Sequence, residues 1–84
     1  MNTYWISFAE DNNHLGCCIV DGDDSKEAVK NAHRLGINPG GEALIIEFDL
    51  TDQEHIDLID SIGKNRLIQE EELMKNTDLI RVKT

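Results

Sequence analysis

The residues able to do chemistry are His14, His33 and His55, the adjacent Cys17 and Cys18, and a glycine pair at Gly40-Gly41. The histidines share no spacing that would hold a metal. Two neighbouring cysteines form neither a disulfide framework nor a C-x-x-C ligand pair, and unpaired they fit a reducing cytosol. No base stands near either thiol to activate it as a nucleophile. Ser7, Ser25 and Ser61 lie in no nucleophile turn. Asp21-Gly22-Asp23-Asp24-Ser25 resembles the start of a calcium loop but fails later, with Lys26 at the turn-glycine position and Ala32 at the bidentate-glutamate position. Gly40-Gly41 is followed by no Lys-Ser/Thr and precedes a strand pattern, so it is neither a nucleotide-hydrolase phosphate loop nor a dinucleotide fingerprint. The expectation is a protein that is not an enzyme and carries no cofactor or metal.

What remains is a binding constellation. Leu35-Gly36-Ile37-Asn38-Pro39-Gly40-Gly41-Glu42 holds the only proline and half of the glycines. Gly36 suits a left-handed position just past a helix, from which Ile37 folds back onto the last turn. Pro39-Gly40 suits the centre of a type II turn. Such a loop could aim several N–H groups one way as an anion cradle, or could simply connect a helix to a strand. With His33, Arg34, Asn38, Gly40 and Gly41 as donors and Tyr4 or Trp5 as an aromatic wall, these residues are the candidate ligand site.

The elements that must position them follow from hydrophobic period. Residues 3–9 alternate as a strand, with Tyr4, Ile6 and Phe8 on one side; residues 15–20 return as the second strand of a hairpin. Asp24 caps a helix with Glu27 three positions on; Ala28, Val29, Ala32 and Leu35 form its buried stripe, and Lys26, Lys30 and Arg34 its wet side. Residues 43–50 form a third strand, its apolar side made by Leu44, Ile46, Phe48 and Leu50. Thr51-Asp52-Gln53-Glu54 reads as a capping box opening a second helix, with Ile56, Ile59 and Ile62 inward and Gly63 closing it. Residues 67–75 read as a short third helix and residues 77–83 as a final strand at a sheet edge. The fold class is α+β: one domain over residues 1–84, ordered β-β-α-β-α-α-β, with helices on a mixed sheet of about four strands. The second and third strands are expected to run parallel about a crossover helix.

Charge narrows the partners. A net charge of -9 disfavours direct nucleic-acid binding and docking to an anionic membrane. No Lys or Arg occurs in residues 37–63, which carry Glu42, Glu47, Asp49, Asp52, Glu54, Asp57 and Asp60. Such a run is a solvated face or a surface for a basic protein partner. The first residues lack a signal-peptide pattern, and no apolar run is long enough to span a bilayer, so the expected location is cytoplasmic.

Tyr4-Trp5-Ile6-Ser7-Phe8-Ala9, Leu15-Gly16, Ala28-Val29 and His33-Arg34-Leu35-Gly36-Ile37-Asn38-Pro39-Gly40-Gly41-Glu42 resemble a group of small uncharacterised bacterial and phage proteins. The resemblance covers about the first half of the chain and brings a signature without an activity. In size and acidity the chain is also similar to small phage proteins that blunt bacterial defence. Two functions are therefore expected in turn. The first is a homodimer that sequesters a nucleotide-derived or phosphorylated small molecule, as a phage anti-defence sponge. The alternative is an acidic inhibitor, mimicking nucleic acid, that docks on a basic protein groove.

Overall fold

A computed structural model describes residues 1–69. Its elements are β1 (Asn2–Glu10), β2 (Asn13–Gly22), α1 (Ser25–Arg34), β3 (Glu42–Glu47) and α2 (Gln53–Ile62). The sheet has three strands in the order β2-β1-β3, and both pairings are antiparallel. Among the described residues the sheet is thus wholly antiparallel: β2 and β3 do run parallel across the α1 crossover, as expected, but β1 lies between them. The expected strand at residues 77–83 lies outside the described residues, as does most of the expected third helix. The beginning of that helix is corrected, because Ile68 is extended and bridges to Cys17.

The central strand dictates the layers. Tyr4, Ile6 and Phe8 share one face with Cys18 and Val20, and α1 covers them with Ala28 and Ala32. On the other face Cys17 and Ile19 pack with Phe48, Ile59, Ile62 and Ile68, with Trp5 and Leu58 at the margin. A strand apolar on both sides can be stabilised only by cover on both.

Local rules explain the joints. Asp11 and Asn12 take positive φ (49° and 67°) in the two-residue hairpin turn, and a bulge between Phe8 and Ala9 absorbs the extra residue on β2. The Asp24 carboxylate accepts the Glu27 N–H at 2.8 Å, while the Asp23 N–H donates to Glu27 Oε1 at 2.9 Å. At the far end of α1 the Gly36 N–H reaches His33 O and the Ile37 N–H reaches Ala32 O, both at 3.0 Å. This is a Schellman closure with Gly36 at φ 74°. Ile37 then packs on the core beside Val29, and Leu35, expected in the buried stripe, is 50% exposed instead. The α2 cap is likewise one residue later than expected: Asp52, not Thr51, accepts the Glu54 N–H at 2.9 Å. Thr51 is held back by Asp49, whose Oδ1 accepts both its hydroxyl (2.6 Å) and its N–H (2.9 Å).

β3 departs most from its pattern. Pairing with β1 sets Ile45 opposite Ile6 on the α1 face, so Leu44 and Ile46 lie on the α2 face. There they are 66% and 52% exposed, and Leu50 beyond them is 47% exposed. Of the expected apolar side only Phe48, just past the strand, is buried. The cause is α2, which packs over β2 and Trp5 and leaves β3 uncovered.

The two loop glycines differ in what they tolerate. Both have positive φ, 93° at Gly40 and 74° at Gly41. A Cβ at Gly40 would meet nothing within 4 Å, whereas one at Gly41 would stand 2.5 Å from Ala9 O. Gly40→Ala is expected to cost about 1 kcal/mol, and Gly41→Ala about 2–4 kcal/mol from the same strain plus a backbone clash. Urea unfolding of the two variants checks the order.

Candidate functional site

The expected ligand site does not assemble around one pocket. Tyr4 is 5% exposed in the α1-side core, with its hydroxyl accepting from the Asn2 amide at 3.3 Å. Trp5, next in an extended strand, points to the opposite face and is half-buried beside α2. Neither forms a wall for the glycine loop. His33 and Arg34 are exposed at the end of α1. Arg34 lines a surface depression with Met1, Asp21, Asn31 and Asn65. Gly41 lines a different one, at the hairpin end of the sheet, with Glu10, Asp11, Asn12 and Glu42.

Three of the loop's donors are already in use. The Gly36 and Ile37 N–H groups close α1, and the Gly40 N–H donates to Asn38 Oδ1 at 2.8 Å. Asn38 thus shapes the turn through its side chain rather than facing a ligand. Three carboxylates at Glu10, Asp11 and Glu42 surround Gly41 and oppose an anion there. Among the described residues no group of histidines, cysteines and carboxylates could hold a metal.

Sequence reasoning missed the junction of β3 and α2. The Asp49 N–H donates to His55 Nδ1 at 2.9 Å, which leaves the ring proton on Nε2, 3.8 Å from Asp52 Oδ2. The His55 ring stands edge-on to Phe48, centroids 5.6 Å apart. The Thr51 hydroxyl and then the Thr51 N–H hold the Asp49 carboxylate below its usual range. The available signal was Asp49-Leu50-Thr51 just ahead of a helix cap, a spacing that favours a side-chain turn. This knot fixes the direction in which Leu50 and α2 leave β3, so it builds the surface on that side of the molecule.

That surface is chemically distinctive. Leu44, Ile46 and Leu50 are exposed, and Asp49, Glu54, Asp57 and Asp60 are exposed with them on α2 and the turn before it, whereas Glu47, opposite Tyr4, lies on the α1 face. The exposed cations of α1, Lys26, Lys30 and Arg34, belong to the helix on the other face of the sheet.

No family model matches the chain, and no match was found among curated proteins or solved structures. No helix among the described residues is long and apolar enough to cross a membrane.

Both cysteines are 0% exposed, and burial pushes the Cys18 thiol up to about 11. A raised folded value means that its contribution to stability is complete at neutral pH and is lost as pH rises towards about 11. Alkylation at pH 8 should be on the order of 100-fold slower in the native protein than in urea, as mass spectrometry would record. Asp49 has the opposite sign: its contribution is present above the ordinary carboxylate range and is lost as pH falls through its lowered value. In an NMR titration Thr51→Ala should move the Asp49 midpoint upward, since the larger cause of its depression is the hydroxyl.

Proposed function

We propose that the protein is a non-enzymatic interaction module that docks on a basic protein surface through its α2–β3 side. The observation that carries this reading is the set of exposed apolar side chains, Leu44, Ile46 and Leu50, flanked by carboxylates in a stretch without Lys or Arg. Apolar area supplies the affinity of such a contact, and the carboxylates select a cationic partner and speed its approach. A basic groove that normally takes nucleic acid has this complementary chemistry, which makes the protein an inhibitor by occupation. The small-molecule sponge draws less support, because its expected residues lie around separate depressions and the Gly36, Ile37 and Gly40 N–H groups are engaged within the chain.

Affinity capture from bacterial lysate with three variants tests the proposal. Asp57→Lys with Asp60→Lys, and separately Ile46→Ser, should each reduce retention of the captured partner about tenfold or more. Lys26→Glu with Lys30→Glu, on the other side, should leave it unchanged. Retention should also fall steeply with salt above 0.15 M, where charges are already screened beyond about 8 Å. A partner held equally by all three variants contradicts the proposal.

A further inference from the structure

The two edges of the sheet are treated differently. Along the outer edge of β2, Cys17 and Ile68 exchange both backbone hydrogen bonds (2.9 and 2.7 Å), and the Asn65 N–H donates to Ile19 O at 2.8 Å. Gly16 makes room for this cover: a Cβ there would stand 2.8 Å from Leu67 Cδ1 and 3.1 Å from Ile68 O. Lys64 pins the same stretch to Asp21, at 3.2 Å, and Asp21 in turn accepts the buried Thr3 hydroxyl at 2.6 Å. On the other edge β3 pairs only with β1 among the described residues. An uncovered edge is a template for another strand, and acidic ends alone do not close it.

We propose that this edge pairs with a second copy of itself, antiparallel about a twofold axis through Ile45, giving a continuous six-stranded sheet. The register follows from side-chain parity and charge. A twofold axis normal to the sheet keeps each face continuous, so it must pass through a residue and not between two. Placed at Leu44, it sets Glu42 against the partner's Ile46. Placed at Ile46, it sets Glu47 against the partner's Ile45. At Ile45 it matches Leu44 with the partner's Ile46, Ile45 with the partner's Ile45, and Glu47 with the partner's Ala43. Of the three registers only that one pairs Leu44, Ile45 and Ile46 wholly with one another and sets Glu47 against the small Ala43, with Glu42 falling opposite Phe48 just beyond the partner's strand.

The pairing needs no basic partner and so stands apart from the docking proposal. It is compatible with it: Leu44, Ile46 and their two mates form one apolar strip on the sheet, flanked by two acidic α2 helices. The chain's own remaining residues are a less direct occupant, because the described chain ends at the far edge of the sheet, on β2.

Sedimentation equilibrium of the full chain, with no partner present, provides the first test. The expected result is a reversible monomer–dimer equilibrium. Ala43→Lys, which would face the partner's Glu47 twice, should tighten it, and Ala43→Glu should weaken it, the two constants lying roughly tenfold apart or more. Ala43 is exposed, so neither change threatens the fold. The register is read by mixing Leu44→Cys and Ile46→Cys chains under mild oxidant: the mixed disulfide should form well ahead of either homodimeric one, since only directly opposed residues meet the required Cα separation. A single chain at every concentration up to about 1 mM overturns the proposal; that is the result if residues 70–84 of the same chain occupy β3. A dimer indifferent to both Ala43 variants, or one cross-linked chiefly as Leu44→Cys to Leu44→Cys, overturns it as well.

Discussion

The structure depends on a central strand that is apolar on both faces and hydrogen-bonded on both edges. β1 buries Tyr4, Ile6 and Phe8 towards α1 and half-buries Trp5 towards α2. Both neighbours are antiparallel to it, so each outer strand derives its register from this one segment. Burial of the three large side chains stabilises by roughly 1.5–3 kcal/mol each, which is large beside the net stability of a chain this short. The helices are then not optional layers. Each removes from water a face that β1 cannot leave wet.

From that frame the asymmetry of the molecule follows. One short helix can cover about two strands, and α2 covers β2 and the Trp5 side of β1. The Asp49–Thr51–His55 knot sets where it starts, and the Lys64–Asp21 pair with the Cys17–Ile68 bridge sets where the chain goes afterwards. β3 is left outside this arrangement, with its apolar pair Leu44 and Ile46 exposed beside acidic neighbours. A chain with net charge -9 can carry such a surface without losing solubility. The location of interaction chemistry is thus a consequence of packing geometry, not of a motif.

Much of the fold was legible because local rules agreed with tertiary ones. The alternation of Tyr4, Ile6 and Phe8, the Asp24–Glu27 box and the Gly36–Ile37 closure all depend on residues within a few positions of one another. The failures were non-local. Strand order was not legible, because nothing in residues 42–47 says that they pair with β1 rather than β2. The buried side of β3 was missed because Leu44 and Ile46 outweigh Ile45 in apolar bulk, while the choice belongs to Ile6 across the ladder. The candidate ligand site was least legible of all. Loop composition showed that special dihedrals were needed at Gly36 and Gly40, but not that Asn38 would use one donor and helix closure two more. Tyr4 and Trp5 were joined as one aromatic resource although a strand must send neighbours to opposite faces.

The central claim is that β3, paired only with β1 among the described residues, offers an open edge beside an exposed apolar face, and amide hydrogen exchange read residue by residue tests it most directly. At a concentration where sedimentation shows single chains, the β1 amides of residues 4–8 should all be protected, being bonded on one side or the other. In β3, protection should alternate, with amides directed at β1 slow and those directed away exchanging quickly. Uniform protection along residues 43–47 in the single chain would contradict the account, because it would mean that the edge is already filled.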